Sequence, residues 1–579
     1  MQAIKQQLNN AFEQVMISVS GLPTCNANVV TASKPEFGDY QVNGVMAIAK
    51  QMKCSPRELA QQVVDCISTQ ALGLIGRLEV AGPGFINVHI AGPFLLEQSN
   101  NILTDPSSFI RSAEISQKIA VDYSSPNLAK EMHVGHLRGT IIGDCLVRVL
   151  EKLGHHVIRQ NHVGDWGTQF GMLITHLREL QTENNNTNLQ LADLEVFYRD
   201  AKTRFDEDAE FASKSRLSVV KLQSGEAEYV RAWEMFINES LKHCETVYDK
   251  LGVTLTRSDL DSESRYNDDL PQVIADLDSA QLLSQSDGAN CVFLNAFKGK
   301  NGELLPLIVQ KTDGGYLYAT TDLAAIRLRM SQQIHRSLYV VDARQSLHFQ
   351  QVFAVARKAE FVDNSLSLEH IAYGTIMGKD GRPFRTRSGE SIKLIDLLDE
   401  AVKQAHRLVR EKNPNLNPDE MVHVANCVGI GAVKYADLSK NRTSDYVFDF
   451  DTMLSFEGNT APYLLYAGAR IHSLLSKAAG SGDIGRKILE IGEPAERALL
   501  VKNLQLPEVV HAVAMDCYPN QLCSFLYELA GLFMRFYEEC PILRSTGETM
   551  ASRLALAQLT VHTLEQGMDL LGIESLEKM

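Results

Sequence analysis

The 579-residue sequence contains neither closely paired cysteines nor a long apolar run. Its ten cysteines include no C-x-x-C pair, which disfavours a zinc ribbon and, in a chain of this size, a disulfide framework. No segment supplies the roughly 20 uncharged apolar residues of a membrane-spanning helix. The stretch MQAIKQQLNNAFEQV is typical of an amphipathic helix and lacks the basic-then-apolar order of a signal peptide. We therefore expect a cytoplasmic protein without membrane spans.

An excess of basic residues is also missing. The net charge is −15, which argues against a general nucleic-acid binder, because neutralisation of phosphates supplies most non-specific affinity. An acidic protein can still carry a local basic face, so the bulk charge leaves specific RNA binding open.

The familiar nucleotide-binding loops are absent as well. No G-x-G-x-x-G follows a predicted strand and no G-x-x-x-x-G-K-[ST] occurs, which disfavours a dinucleotide oxidoreductase and a P-loop enzyme. No H-E-x-x-H occurs either, so the zinc-protease pattern is missing.

Hydrophobic periodicity divides the chain into three predicted parts. Residues 1–110 indicate an N-terminal α+β domain. Residues 115–450 indicate an α/β domain with a Rossmann-type parallel sheet and a helical or connective insertion at about 179–300. Residues 451–579 indicate a C-terminal all-α helical bundle.

The α/β prediction is best defined around one strand–helix–strand unit. A short apolar strand, Lys118–Ser124, precedes a helix over Leu137–Gly154 and a second strand over His156–Gly164. Such units build parallel sheets, and ligands bind beyond the carboxyl ends of their strands. His133 and His136 lie there, after the first strand and at the start of the helix.

Three interpretations compete for these two histidines. A metal site is disfavoured because their spacing is i, i+3 and no acid lies between them. They could simply be exposed or packed side chains. They could also donate hydrogen bonds to phosphate, because a helix N-terminus attracts anions and Gly135 would let a nucleotide lie close to the backbone.

The longer run VDYSSPNLAKEMHVGHLRGTIIGD (Val121–Asp144) resembles the arginyl-tRNA synthetase family, and HVGH resembles the HIGH signature of class I aminoacyl-tRNA synthetases. The resemblance recurs in further ordered blocks, among them Asn161–Gly171, Asp313–Ala325, Val433–Asp451, Phe456–Ile471 and Leu526–Leu543. It implies an arginine–tRNA ligase that activates L-arginine with ATP, releases pyrophosphate and transfers the arginyl group to the terminal ribose of its tRNA.

The resemblance also implies roles for individual residues. His133 and His136 would contact ATP phosphates and stabilise the adenylation transition state, with Pro126 and Gly135 beside the nucleotide. A pocket for arginine needs acceptors for a planar, five-donor guanidinium. The matching positions are Tyr318 and Asp322 at the guanidinium, Asp122, Ser125 and Asn127 at the α-amino end, and Gln345 and His162 nearby. Asp165 could line the same wall or cap the helix that begins near Trp166.

The lysine loop KMSKS of class I enzymes is absent. The equivalent place reads IMGKDGRPFRTRSGESIKL (Ile376–Leu394), which resembles the degenerate form of arginyl enzymes. We expect Lys379, Arg385 and Arg387 to carry the charge that meets the triphosphate, in a loop that its glycines allow to move.

The C-terminal part is not basic, with 10 Lys and Arg against 15 Asp and Glu over Glu457–Met579. If it reads the anticodon, as the resemblance implies, it must use local contacts such as stacking. Tyr463, Arg470 and Met579 are candidates for tRNA binding by position, whereas Leu526, Leu529, Phe533 and Phe536 have the spacing of a helix core. The N-terminal domain would contact the tRNA elbow.

Two other functions were weighed. A catalytically inactive synthetase-like tRNA-binding protein should have lost the HVGH histidines or the arginine pocket, and both are intact. A cysteinyl enzyme should carry a zinc-binding thiolate near its pocket, and no cysteines have that spacing. The expected partners are L-arginine, ATP with Mg²⁺, and the cognate tRNA. We expect a monomer with no zinc and no metal held by the protein itself.

Overall fold

The computed structural model describes residues 2–67, 73–184, 194–384, 392–479 and 486–579. Within these ranges no helix combines the length and the apolar character needed to cross a membrane. The ten cysteines all lie in the described ranges, and no disulfide joins any of them.

The N-terminal part is an α+β unit built on an antiparallel sheet of strand order β1–β2–β4–β3. Ile86, Val88 and Ile90, alternate residues of the strand Phe85–Ile90, are buried in the hydrophobic core, as expected when every second side chain of a strand points to one face. The elements are α1 (Ile4–Ser20), β1 (Val29–Thr31), β2 (Tyr40–Val42), α2 (Val45–Met52), α3 (Pro56–Ile67), β3 (Ile75–Ala81), β4 (Phe85–Ile90) and α4 (Gly92–Thr104).

The middle part holds the parallel sheet that the sequence predicts. Its first unit is β5 (Lys118–Asp122), α5 (Leu137–Lys152) and β6 (His156–Gln160). β5 ends two residues earlier than expected, because Ser124 and Ser125 have φ of 68° and 48° and so leave the extended conformation. The α5 side chains are almost all buried against the sheet and the helical half.

A long connection separates β6 from the remaining strands of this sheet. It contains α6 (Thr168–Asn184), α7 (Leu194–Glu207), α8 (Ala209–Gln223), α9 (Ala227–Leu251), α10 (Leu270–Ser279) and a small antiparallel sheet of β7 (Leu283–Ser286), β8 (Ala289–Lys298) and β9 (Leu304–Gln310). The chain then returns through α11 (Tyr318–Ser331), β10 (Arg336–Tyr339), α12 (Ser346–Lys358), β11 (Ser367–His370) and β12 (Ile376–Met377).

The strand order of the parallel sheet is β11–β10–β5–β6. From β5 the chain proceeds outward to β6, and from β10 it proceeds outward in the opposite direction to β11. The order therefore reverses between β5 and β10, and in open α/β sheets ligands bind at such a switch point, beyond the carboxyl ends of the strands. Asp122 ends β5 and is paired with Tyr339, the last residue of β10.

The remainder is almost entirely helical. It comprises α13 (Leu394–Lys412), α14 (Pro418–Leu438), β13 (Tyr446–Val447), α15 (Phe450–Met453), α16 (Ala461–Ala479), α17 (Pro494–Leu504), α18 (Leu506–Asp516), α19 (Asn520–Glu539) and α20 (Gly547–Leu570). The predicted helix core is confirmed, because Leu526, Leu529, Phe533 and Phe536 are all fully buried on α19. The predicted fold class, an α/β catalytic domain between an α+β domain and a helical bundle, is confirmed.

Candidate active site at the switch point of the parallel sheet

The turn after β5 is held by hydrogen bonds to Asp122, the last residue of β5, and to the segment that follows β6. The Ser125 backbone N–H donates to Asn161 Oδ1 at 3.0 Å, and the Ser125 hydroxyl donates to Asp122 Oδ1 at 3.0 Å. The His162 backbone N–H donates to the same hydroxyl oxygen at 3.2 Å. These bonds offset the cost of left-handed backbone at a residue other than glycine, and they join the turn to the end of β6.

Asp122 belongs to a buried ion pair. Its Oδ2 accepts a hydrogen bond of 2.7 Å from Nη2 of Arg329, a fully buried side chain on α11. The Arg329 guanidinium also lies over the Tyr339 ring, with Cζ 4.5 Å from the centroid. A buried carboxylate requires such a partner, so Arg329 fixes both the charge and the orientation of Asp122.

His133 and His136 cap the turn in which they lie. The short 3-10 turn Val134–His136 leads directly into α5. The Gly135 backbone N–H donates to His133 Nδ1 at 3.0 Å, and the His133 backbone N–H donates to His136 Nδ1 at 3.1 Å. The two imidazoles therefore take the place of the usual capping side chains, and their ring centroids are 4.1 Å apart.

This capping determines which ring nitrogens are available. Burial lowers the pKa of His136 to about 3, and burial followed by the charge of Lys130 lowers the pKa of His133. Both rings are consequently neutral at physiological pH. In a neutral imidazole whose Nδ1 accepts, the proton is on Nε2, so each histidine keeps one N–H donor that can bind an anion.

Gly135 is required by the histidine beside it. A Cβ atom at this position would lie 2.8 Å from His133 Cε1 and 2.9 Å from its Nδ1. Any larger residue would displace the ring that caps the turn. Gly135 itself is exposed, so the backbone of the turn is open on the side away from the sheet.

Asn127 and Pro126 connect the turn to the segment after β6. Asn127 is exposed, whereas Pro126 is buried. The Gly164 backbone N–H donates to the Pro126 carbonyl at 3.2 Å, and a Cβ at Gly164 would lie 2.0 Å from Asn127 Oδ1. Glycine at this position therefore allows the Asn127 amide to lie directly against the backbone.

Tyr318 and Asp322 lie on one face of α11, as the sequence predicts, because the helix begins at Tyr318. Tyr318 is 60% exposed. Asp322 Oδ2 is 2.6 Å from Nε2 of His348 on α12, and the Tyr318 ring lies edge-on to the same imidazole at 4.7 Å. His348 therefore orients both side chains.

A second group of acids lies near Asp322. Burial raises the pKa of Glu263, and the charges of Asp165 and Asp322 raise it further, while His162 lowers it. The His162 ring stacks on Tyr266 with centroids 5.8 Å apart, and its Nδ1 is buried without a partner among the described residues. Such a cluster of carboxyl groups favours a cationic ligand, whose charge would lower the pKa of Glu263.

Asp165 holds the loop that contains Glu263. Its carboxylate accepts hydrogen bonds from the Ser264 backbone N–H at 2.9 Å and from the Ser264 hydroxyl at 2.5 Å. This contact supports the interpretation of Asp165 as part of the pocket wall, whereas α6 begins only at Thr168.

Gln345, unlike His348 three residues later, takes no part in the contacts described around Asp322. It ends the short 3-10 turn Ala343–Gln345, which follows β10, and it is exposed. It lies at the same edge of the sheet as the other candidates, although its side chain forms none of the contacts described above.

The loop after β12 carries Lys379. This side chain is 67% exposed, and its Nζ lies 3.1 Å from Asp449 Oδ1. The loop is a tight hairpin in which the Gly378 backbone N–H donates to the Arg382 carbonyl at 2.7 Å. Arg385 and Arg387 lie outside the described residues.

Arg138 connects the histidine turn to the region around this loop. The fully buried guanidinium pairs with Asp437 on α14, with Nε 3.0 Å from Oδ2, and donates from Nη1 to the Ser444 carbonyl at 3.0 Å. The segment after Ser444 forms β13, the partner of β12. The start of α5 and the base of the Lys379 loop are therefore part of one packed unit.

The candidates for tRNA binding lie together only in part. Arg470 and Met579 line one cavity of about 890 Å³, together with Tyr466. The Arg470 guanidinium lies over the Tyr537 ring at 4.4 Å. Tyr463 instead packs against Tyr527, with ring centroids 5.6 Å apart, and does not line that cavity.

The metal interpretation of His133 and His136 finds no support in the described part of the chain. Their Nδ1 atoms accept backbone hydrogen bonds, and the one group of three metal-ligating side chains found there does not include them. Arg329, His348 and Glu263 were not predicted from the sequence. Of these, only His348 had a signal, since it lies three residues after Gln345 at the sheet edge.

Models of known families match nearly the whole chain. The model described as tRNA synthetases class I (R), catalytic domain, matches residues 98–450. The DALR anticodon binding domain matches residues 464–579, and the arginyl tRNA synthetase N terminal domain matches residues 2–90.

Individual relatives are similar over the full length. The arginine–tRNA ligase of Laribacter hongkongensis is 53% identical, with 100% of both chains covered. That of Hahella chejuensis is 53% identical, covering 99% of this chain and 100% of the relative. The crystal structure of arginyl-tRNA synthetase from Plasmodium falciparum is 27% identical with a TM-score of 0.83, and 100% of both chains is covered. The Thermus thermophilus arginyl-tRNA synthetase structure, 24% identical with a TM-score of 0.82 and the same coverage, shares the fold.

Proposed function

The chain belongs to the arginyl-tRNA synthetase family of class I synthetases, and on this premise we propose which side chains carry out the arginine–tRNA ligase reaction. In the first step a carboxylate oxygen of arginine attacks the α-phosphorus of ATP, and the bond to pyrophosphate breaks. In the second step the terminal ribose hydroxyl of the tRNA attacks the activated carbonyl, and AMP leaves.

The phosphate side of the site consists of the histidine turn and the lysine loop. His133 and His136 donate from Nε2 to the ATP phosphates, and these bonds strengthen as negative charge builds in the transition state. Pro126 and Gly135 lie against the nucleotide. Lys379, Arg385 and Arg387 meet the triphosphate, where their charge stabilises the departing pyrophosphate.

The arginine side consists of the acids on α11 and after β5. Tyr318 and Asp322 bind the guanidinium, and the neighbouring carboxyl of Glu263 adds a second acceptor, which suits the forked donor geometry of arginine. Because Asp322 is oriented by His348, its acceptor direction is set before the substrate arrives.

The α-amino end of arginine lies closer to the sheet. Asp122, Ser125 and Asn127 hold it, with His162 and Gln345 at the edge of the pocket. Asp122 accepts one bond at each carboxylate oxygen, from Ser125 and Arg329, and each oxygen retains a lone pair for an ammonium donor. The carboxylate of arginine is thereby directed toward the histidine turn.

Mg²⁺ enters the proposal as the ion that accompanies ATP. Asp122 and Asp322 are already engaged by Arg329 and His348, so these acids fit an amino acid better than a metal cage. Mg²⁺ would therefore be held by the phosphate oxygens, where it neutralises charge. We propose no zinc in the catalytic cleft.

The three predicted parts have separate roles in this proposal. Residues 1–110 contact the tRNA elbow, residues 115–450 perform the chemistry, and residues 451–579 bind the anticodon, with Arg470, Met579 and Tyr463 as contacts. We propose a monomer that acts in the cytoplasm, where its tRNA substrate is used in translation. The alternative of a catalytically inactive tRNA-binding relative is not favoured, because the histidine turn and the acidic pocket are complete.

One observation carries this proposal. Two neutral imidazoles with Nε2 donors and an acidic pocket lie at the same edge of the parallel sheet. The test is charging of tRNA with arginine, with arginine-dependent pyrophosphate exchange measured in the presence and absence of tRNA. A pure protein that transfers arginine to no tRNA would overturn it.

Asp322→Asn tests the arginine side separately. The amide keeps the size of the side chain but loses the charge and one acceptor, so we expect discrimination against lysine to fall by about a hundredfold. Asp287→Asn is the matched control, since it makes the same change in the turn between β7 and β8, where φ of 50° suits asparagine. Unchanged discrimination in Asp322→Asn would remove this residue from the pocket.

A further inference from the structure

Three side chains with metal-binding atoms meet outside the candidate active site described above. His423 and Cys427 lie one turn apart on α14, and Glu574 reaches the same place from the segment after α20. Their potential ligand atoms all lie within 4.8 Å of one another, and this is the one such group of three found among the described residues.

The distances between these atoms are close to those around a bound ion. Cys427 Sγ is 3.4 Å from Glu574 Oε2 and 3.9 Å from His423 Nε2, and His423 Nε2 is 3.9 Å from Glu574 Oε1. Tetrahedral zinc with bonds of about 2.0–2.3 Å separates its ligand atoms by about 3.3–3.6 Å. Because the two Glu574 distances involve different carboxylate oxygens and the three ligand atoms lie within 4.8 Å of one another, movements of up to about 1.5 Å would bring all three to one ion.

The chemistry of the three ligands defines the class of ion. A thiolate and an imidazole select borderline or soft transition metals over Mg²⁺ and Ca²⁺, which prefer oxygen ligands. We propose that His423, Cys427 and Glu574 bind a divalent cation of the Zn²⁺ class, with water in the fourth position. The three ligands include none of the residues proposed above for the arginine–tRNA ligase reaction.

The surroundings explain why the site needs a cation to form fully. His423 and Glu574 are exposed, with side-chain exposures of 55% and 68%, whereas Cys427 is buried. Burial and the nearby Glu574 carboxylate raise the pKa of the Cys427 thiol. When the thiol binds the cation, the sulfur–metal bond replaces the sulfur–hydrogen bond, and the proton passes to solvent.

The ordinary alternative is a surface ion pair beside a buried cysteine. The His423–Glu574 separation of 3.9 Å is too long for a hydrogen bond, and an exposed pair contributes little stability. The Cys427 thiol can donate to the Glu574 carboxylate at 3.4 Å. This alternative predicts no metal dependence.

A bound ion would fasten the segment that carries Glu574. Two hydrogen bonds already attach this segment: Lys434 Nζ donates to the Gly572 carbonyl at 2.6 Å, and Asn413 Nδ2 donates to the Met579 carbonyl at 3.2 Å. Glu574 lies between these two points. The Cys427–Glu574 contact of 3.4 Å is a third attachment, and a metal bridge would replace it with one that responds to an ion.

The sequence led us to expect no metal held by the protein, and the reason why this site was not predicted is simple. His423 and Cys427 have a helical i, i+4 spacing, but two ligands do not make a site. The third ligand is 147 residues from Cys427, so no local pattern reveals the group.

The test is Co²⁺ titration of the metal-free full-length protein, with Zn²⁺ used to displace Co²⁺. The exposed Cys54 and Cys66 are replaced by serine in every sample, so that they cannot bind metal. We expect one Co²⁺ per chain, with a thiolate-to-cobalt absorption band. His423→Ala, Cys427→Ser and Glu574→Gln should each weaken binding by at least about tenfold.

Glu577→Gln is the matched control, because it changes an exposed carboxylate in the same segment but outside the group, and it should bind Co²⁺ as the parent does. His423→Ala and Glu574→Gln alter exposed side chains, so they decide the result even if Cys427→Ser affects folding. Absence of the absorption band in the parent, or equal Co²⁺ binding in all variants, would overturn the proposal.

A second measurement follows the segment itself. Zn²⁺ should slow amide hydrogen exchange over residues 571–579 in the parent but not in Glu574→Gln. Slowing to the same extent in both would show that Zn²⁺ acts elsewhere and would also overturn the proposal.

Discussion

The histidine turn Val134–His136 and the Lys379 loop are assigned to the same triphosphate, yet they are built in opposite ways. In the turn, backbone N–H groups fix both imidazoles, and buried Arg138 secures the helix that follows. In the loop, Lys379 is 67% exposed and rests on Asp449. The difference teaches that one phosphate contact is set by folding, whereas the other can form when ATP arrives, as closing loops do.

Removing His136, whose position is fixed by folding, should have the largest effect on the rate of adenylation. His136→Ala deletes the proposed transition-state donor and the acceptor for the His133 backbone N–H, so we expect kcat for adenylation to fall about 100- to 1,000-fold. Pyrophosphate exchange measures this, and tRNA binding should stay close to that of the parent. His243→Ala, an exposed histidine on α9, is the control. An unchanged rate in His136→Ala would refute the phosphate role.

Disturbing the turn without removing a histidine should have the next largest effect. In Gly135→Ala the new Cβ would meet the His133 ring at 2.8 Å, so the ring must move and we expect adenylation to slow about tenfold or more. Gly92→Ala is the control, because nothing lies within 4 Å of the added atom. Equal rates in the two variants would mean that the turn is not rigid.

Because the His136 imidazole is neutral in the folded protein, the stability of the fold should depend on pH. Because the pKa of His136 is lowered from 6.5 to about 3, the unfolded chain binds more protons below pH 6.5 than the folded one does. Stability should therefore be lost as the pH falls below 6.5, by up to about 1.4 kcal/mol per pH unit. Thermal unfolding of the parent and of His136→Gln measures this. A parent and variant with parallel pH profiles between pH 6.5 and 5 would contradict the buried, neutral ring.

Releasing the Lys379 loop from Asp449 should have the smallest effect on stability and on adenylation. Asp449→Asn weakens the ion pair with Lys379, in which Lys379 is 67% and Asp449 28% exposed. Solvent screens such a pair, so we expect stability to change by less than about 1 kcal/mol and adenylation to change less than about twofold. Urea unfolding and pyrophosphate exchange measure the two quantities. A loss as large as that of Gly135→Ala would show that the loop, too, is fixed by folding.

The sequence predicted those features that depend on local pattern. The strand starting at Lys118, the helix starting at Leu137 and the common face of Tyr318 and Asp322 follow from periodicity over a few residues. Partners that are distant in the chain could not be predicted, because Arg329 lies 207 residues from Asp122 and no local signal joins them. The capping role of the histidines was missed for another reason: imidazoles are uncommon caps, and only the backbone geometry reveals them.

The strand order has a consequence for how the sheet assembles. β5 pairs with β10, and the hydrogen bond from the Lys118 backbone to His335 joins residues 217 apart in the chain. The entropy of closing a loop grows only with the logarithm of its length, about 0.6 kcal/mol for each doubling. The long insertion between β6 and β10 therefore lowers the free energy of unfolding only slightly, but it slows the pairing of β5 with β10 during folding. The length of this insertion is therefore limited by the rate of folding rather than by equilibrium stability.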